Sequence, residues 1–300
     1  MIESERPLIT IGIPTYNRAE GYLKEALESA LAQNYPNLEI VIADNCSTDN
    51  TKAVVEGYAD ERIRYFRHEK GIKPNDNFNF CLQQARGSYF LMLHDDDKID
   101  PDFLAACITA ASGEKRIGVI ITGLRLIDES GSTIHEIPNN CGGLSTVDFF
   151  LGWFDGLVNL YLCNTLYDTA ALKRLGGFKS KHDLFQDVGA TMRMVSNMGR
   201  IDVKAVKASA RLHTGKWTHV ANVKNWCEDS LELLDLLCHL APEKKAGLRN
   251  RGMRFFANIN YSRANSISSI IARIKAYFGV YRFFGRRYPP SYITVLRSTV

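Results

Sequence analysis

Between residues 8 and 94, short β-branched apolar runs alternate with amphipathic helical patterns, and that alternation leaves few folds open. LITIGI (8–13), NLEIVIAD (37–44), RIRYFRH (62–68) and SYFLMLH (88–94) read as strands. Helices are expected between them. One is GYLKEALESALAQ (21–33), with Leu23, Ala26, Leu27, Ala30 and Leu31 at helical spacing. The others are Asn50 to Tyr58, behind Asp49 as N-cap, and NFNFCLQQA (77–85). A βαβαβαβ order specifies a doubly wound, mostly parallel sheet of the Rossmann-like α/β class, because a parallel neighbour is reached only by a crossover. Ligands of such sheets bind beyond the carboxyl ends of the strands.

The tips of the first, second and fourth strands carry PTYNR (14–18), DNCSTDN (44–50) and HDDD (94–97). All three are polar and turn-forming, so they converge on one edge of the sheet. Three consecutive carboxylates repel one another. At a strand end they are expected to face a divalent cation, and hard oxygen donors suit Mg²⁺ or Mn²⁺ better than zinc. The alternative is a solvated acidic turn with Asp100 capping a helix that begins near Pro101.

The second half is less regular. IGVIITGLRLIDESGSTIHEI (117–137) reads as two strands around a Glu-Ser-Gly turn, and 139–160 as loop with a short helix. TLYDTAALKRLGGF (165–178) reads as strand, helix and a Gly-Gly stop. Helices are expected over 226–240, 248–259 and 266–284. Charge divides the chain. Residues 244–300 hold twelve Lys or Arg and no Asp or Glu, whereas the first 243 hold 25 basic and 33 acidic side chains, a net of −8. A basic tail suits an anionic partner, phosphate-bearing or membrane, or docks on the acidic body itself. Within it Ile267, Ile270, Ile271, Ile274, Tyr277, Phe278 and Tyr281 form one helical stripe, for which burial against the body is the first expectation. Seven cysteines without a C-x-x-C pair point to reduced thiols. The acidic start MIESERPLITIGIP argues against a signal peptide, and no apolar run reaches membrane-spanning length.

IPTYNR, ADNCSTDNT and LHDDDKIDP, in that order and roughly 30 and then 50 residues apart, resemble the nucleotide-binding half of the family 2 glycosyltransferases, inverting enzymes of the GT-A fold. NTLYDTAALKRLGGF, FQDVGATMRM (185–194) and RLHT (211–214) extend the resemblance to about residues 7–215. It implies a glycosyltransferase domain over 1–220, with a nucleotide-binding half to about 120 and an acceptor half to about 220; residues 221–300 lie beyond the resemblance and read from their own pattern and charge as a basic helical region. It also implies a nucleotide-sugar donor, with a UDP-sugar first among the candidates. The implied acceptor is a glycan or lipid-linked saccharide of surface polysaccharide synthesis. No nucleic-acid partner is expected. The reduced thiols suit a cytoplasmic location, and the charge of the tail suits a peripheral one on the inner face of the plasma membrane, at an anionic lipid surface.

Position by position, the resemblance implies that Pro14, Thr15 and Tyr16 pack on the nucleobase, with Arg18 near the phosphates. Asp44 would accept a hydrogen bond from the base, and Asn45 and Asp49 would support its loop. Asp95 would contact the ribose or back the metal. Asp96 would be the principal metal ligand and Asp97 a second candidate. His213 would be a third ligand or a phosphate contact, with Lys216 and His219 as substitutes. Asp187 would be the general base, or else only a helix N-cap. The chain departs from the family pattern at His94, where Asp is usual, and at Gln186, where Glu or Asp is usual. His94 is expected to pack beneath the acidic turn. Trp153, Phe154, Trp217 and Trp226 are expected in the core rather than stacked on a sugar.

Three competing readings remain open. A sugar-phosphate nucleotidyltransferase would carry a Gly-rich loop where this chain has PTYNR. A phosphatase with D-x-D chemistry would place that motif on its first strand. A non-catalytic nucleotide- or glycan-binding module would not need Asp44, Asp96 and Asp187 together.

Overall fold

The computed structural model describes residues 6–114, 117–213 and 222–285. In chain order the elements are β1 (Ile9–Thr15), α1 (Leu23–Leu31), β2 (Leu38–Asp44), α2 (Thr51–Glu56), β3 (Ile63–Arg67), α3 (Pro74–Gln84), β4 (Tyr89–Met92), β5 (Lys98–Ile99) and α4 (Phe103–Ala110). There follow β6 (Val119–Ile127), β7 (Thr133–Ile137), α5 (Thr146–Phe154), β8 (Thr165–Asp168), α6 (Thr169–Arg174), α7 (Gln186–Met198) and β9 (Arg200–Arg211). Three helices close the described chain: α8 (Val223–Leu240), α9 (Lys245–Asn265) and α10 (Ile270–Phe284).

One sheet runs β3-β2-β1-β4-β8-β6-β9-β5, with β7 on the side of β6. The first four strands are parallel, as their alternation with helices requires. β8 then runs antiparallel to both β4 and β6, while β9 returns parallel to β6. β1 and β2 are buried along their whole length, which explains why they read as unbroken apolar runs. Helices α1 and α4 cover one face, burying Leu23, Leu27, Phe103 and Leu104. On the other face one apolar cluster includes Phe78 of α3, Phe149 of α5, Val195 of α7, Trp226 of α8 and Phe256 of α9. Gly12 in β1 permits the close packing beneath α3: a Cβ there would lie 2.8 Å from the Phe90 ring and 2.9 Å from Cys81 Cβ.

Most expected elements form within a few residues of their limits. Trp153, Phe154 and Trp226 pack in the core, with Trp153 and Phe255 rings 5.1 Å apart and Phe185 and Trp226 rings 5.3 Å apart. Trp217 lies outside the described residues. All seven cysteines are free thiols. Among the described residues no helix is long and apolar enough to cross a membrane.

Three expectations are corrected. Asn50, not Asp49, occupies the N-cap position of α2; the Asp49 carboxylate instead takes the Thr51 and Ala19 N–H groups, each at 3.0 Å. Asp100 does not cap α4 with its side chain, because Arg125 holds that carboxylate at 3.0 Å. The stripe on α10 is not buried. The helix seats Val280 and Phe284 against the body and leaves Ile270, Ile271, Ile274 and Phe278 in solvent.

Candidate functional site

The carboxyl ends of β1, β2 and β4 meet as the topology requires. Pro14 is buried within β1, in register with Ala43, and Thr15 is in register with Asp44. Tyr16 is exposed, while Asn17 adopts a left-handed conformation (φ 52°), which asparagine tolerates better than most residues. Asn17 knits the first loop to the second: its N–H donates to Ser47 Oγ at 2.9 Å, and its carbonyl oxygen Oδ1 accepts the Thr48 N–H at 2.8 Å.

Asp44 is fully buried, and its oxygens are spoken for by protein groups. Oδ1 accepts from the Ser47 N–H at 2.7 Å, and Oδ2 accepts from the Tyr65 hydroxyl at 2.5 Å with Arg67 Nε 3.8 Å away. Burial and this carboxylate push the Tyr65 phenol well above its ordinary range. A cleft of about 650 Å³ opens beside them, lined by Asp44, Ser47, Asp49, Lys52, Tyr65 and Arg67. The Asn45 side chain exchanges two hydrogen bonds with the Ile72 backbone, at 2.9 and 2.8 Å, and so holds the segment after β3.

At the tip of β4 the acidic turn is neutralised from two directions. Asp95 accepts from the Thr15 hydroxyl at 2.7 Å, and Arg18 Nε stands 3.9 Å off. Burial, then the neighbouring charge of Asp96, push its carboxyl upward despite those partners. From the other side β5 pairs with β9, which carries Arg211 and His213 to the turn. Arg211 is fully buried. Its backbone N–H donates to Asp97 Oδ1 and its Nε to the Asp96 carbonyl, both at 3.0 Å. The guanidinium also reaches the Asp128 and Glu129 carbonyls and Glu25 Oε2, and lies 4.1 Å over the Tyr22 ring. His213 Nε2 is 2.7 Å from Asp96 Oδ2.

His94, Asp96 and Asp97 each offer a donor atom, all within 4.8 Å of one another. One imidazole and two carboxylates in that spacing fit a divalent cation. The structure therefore groups His94 with the two aspartates, although it also packs 5.1 Å from the Phe78 ring as expected.

Asp187 lies in the first turn of α7, while Phe185 holds the N-cap position. Its Oδ1 accepts the Val188 N–H at 2.7 Å, and burial raises its carboxyl to about 6. Tyr161, ahead of β8, has its phenol raised first by burial and then by the charges of Cys163, Asp97 and Asp187. The loop before Asp187 is fixed from outside by Asp229 of α8. That buried carboxylate accepts from the Ser180 hydroxyl and from the N–H groups of His182 and Leu184, at 3.1 and 3.3 Å. Lys216 and His219 lie outside the described residues.

Sequence reasoning missed Tyr65, Arg67, Tyr161, Arg211 and Asp229 as members or supports of the site. Arg211 opens RLHT, but nothing around it, with Lys204 and Lys207 in the same run, marks it as the partner of the acidic turn.

Comparison with known proteins adds to this geometry. Residues 10–175 match the model of glycosyl transferase family 2. An uncharacterized glycosyltransferase of Rickettsia felis is 33% identical over 190 residues, 60% of this chain and 30% of that protein. The GalNAc(5)-diNAcBac-PP-undecaprenol beta-1,3-glucosyltransferase of Campylobacter jejuni is 30% identical over 158 residues, half of each chain. The chain thus spans 30% of the first of these relatives and 50% of the second. Among solved structures, S. aureus TarS in complex with UDP-GlcNAc superposes with a TM-score of 0.71 at 21% identity, covering 93% of this chain and 82% of that one.

Proposed function

The chain belongs to glycosyl transferase family 2 and has the GT-A fold, and on that premise we propose that it moves a sugar, with inversion, from a nucleotide-sugar donor to a glycan or lipid-linked saccharide. Support for a UDP-sugar comes from the likeness to TarS. Support for a lipid-linked acceptor in surface polysaccharide synthesis comes from the name of the Campylobacter relative. The observation that carries the reading is the convergence of His94, Asp96 and Asp97 at the strand ends, with a second, raised carboxyl at Asp187 in the first turn of α7.

In this reading the cleft beside Asp44 receives the nucleoside, and Pro14, Thr15 and Tyr16 of the neighbouring strand end pack on its base, with Asn45 holding the loop. Arg18 stands near the phosphates and Asp95 near the ribose. Asp96 and Asp97, with His94 or His213, would hold Mn²⁺ or Mg²⁺. That ion would supply positive charge where the diphosphate departs, a contribution of several kcal/mol. Asp187 takes the proton from the acceptor hydroxyl as it attacks the anomeric carbon, and a carboxyl near 6 suits a base working at neutral pH. The transferase domain is assigned to residues 1–220 and the basic C-terminal region to 221–300, of which the described helices run from Val223 to Phe284. The protein works on the cytoplasmic side of a membrane, without nucleic acid.

Thermal shift against UDP, GDP, CDP and dTDP, with and without Mn²⁺, tests the donor half. Stabilisation by one nucleotide that depends on the ion, and that is lost in Asp96→Asn, is expected. No response to any nucleotide, or an unchanged response in that variant, overturns the reading.

A further inference from the structure

We propose that the outer face of α10 is a docking surface for an anionic lipid bilayer. The helix is held to the body by one side only. Val280 and Phe284 are buried, and Tyr277 lies with its ring 5.4 Å from that of Tyr261 and its hydroxyl 3.3 Å from Asn265 Oδ1. On the adjoining outward face Ile270, Ile271, Ile274 and Phe278 are 69, 71, 52 and 67% exposed. At helical pitch these four fall within an arc of about 100°. Exposed apolar residues scattered singly are ordinary, but four on one arc of one helix mark a surface that binds something.

The charge around the arc selects the occupant. Lys275 and Arg282, both exposed, border it on one side, and residues 244–300 carry twelve basic groups and no acidic one. A second copy of the chain would set these cations against their own kind. The rest of the protein is already engaged by the inner face of the helix, through Val280 and Phe284 in the apolar cluster and Tyr277 against α9. A nucleic acid would meet the charge but leave four large apolar side chains in water. An anionic bilayer satisfies both halves: the isoleucines and the phenylalanine enter the boundary between headgroups and acyl chains, and the cations stay with the lipid phosphates. This inference rests on the helix face and the charge of the tail, not on the transferase reading.

Sedimentation of the full chain with vesicles tests it. Binding is expected to phosphatidylglycerol-containing vesicles, not to phosphatidylcholine alone, and to weaken as salt rises. A variant combining Ile271→Ser, Ile274→Ser and Phe278→Ser should lose at least about tenfold in affinity without a lower melting temperature. Lys275→Gln and Arg282→Gln should each cost about fivefold on the anionic vesicles. If the triple variant melts early, the two charge variants carry the test. The proposal is overturned if the parent ignores anionic vesicles or if the variants bind as the parent does. It is also overturned if the triple variant merely converts a dimer to a monomer in light scattering with no vesicle binding by either.

Discussion

Replacing Asp187 with asparagine should make the protein more stable and nearly inactive at once. Burial holds this carboxyl at about 6 instead of its ordinary 3.8. A carboxyl raised on folding is a liability above its folded value, because the native state must keep an anion where it is poorly solvated. The difference corresponds to about 3 kcal/mol, fully felt above pH 6 and vanishing as pH falls towards 4. Since the side chain keeps some exposure, about 2 kcal/mol is the better expectation. Asn can still accept the Val188 N–H through its Oδ1, so the hydrogen bond now 2.7 Å long persists. Urea titrations near pH 8 and pH 4 measure the difference: Asp187→Asn should gain about 2 kcal/mol at the higher pH and almost nothing at the lower. Initial rates supply the second half. Turnover should drop by about 10²–10⁴-fold, and the parent's kcat/KM should decline about tenfold per pH unit below about pH 6. A variant no more stable than the parent near pH 8, or one whose gain is the same at both pH values, would refute burial as the cause. A variant turning over at near-parental rate would refute the base.

Arg211→Met strands the buried Asp96 carbonyl, gives up the part-buried bonds to the Asp128 and Glu129 carbonyls, and removes the cation beneath the acidic turn. Glu25 can turn to water, so about 3 kcal/mol, read by urea unfolding, is expected rather than the full cost of a broken buried pair. Gly12→Ala drives a methyl into Phe90 and Cys81 and should cost about 1–3 kcal/mol in the same measurement. Asp229→Ala frees the 180–184 loop. The expected signature is a fall in kcat larger than any rise in donor KM, since its contacts lie on the Asp187 side rather than the nucleotide side. Equal changes in both constants would count against that assignment.

The nucleotide-side half of the site was legible in the sequence because its parts are local. β1, β2 and β4 are short apolar runs, each followed directly by its functional loop, so a parallel order alone brings Thr15, Asp44 and Asp95 together. What compensates those loops was not legible. Arg211 meets Asp96 and Asp97 only because the two-residue β5 pairs with β9, and nothing in KI or RIDVKAVKASAR announces that partnership. β9 itself has small and charged residues where strands usually carry bulky β-branched ones. Asp229 sits in an amphipathic helix whose polar positions all look alike until one is buried. For α10, periodicity revealed an apolar arc but not which arc the body would cover; the rings of Tyr261 and Tyr277 decided that.

The route of β9 sets a timetable for synthesis. The acidic turn at 95–97 leaves the ribosome more than a hundred residues before Arg211 and His213, which quiet it. Until then the emerging chain can wind its first four strands but must leave its most highly charged corner open to solvent. Contacts of such long reach are slow to close. A translation product stopped near residue 200 would therefore be no smaller version of this protein, but a half-built sheet with its anionic end unsheathed, suited to capture by chaperones and proteases.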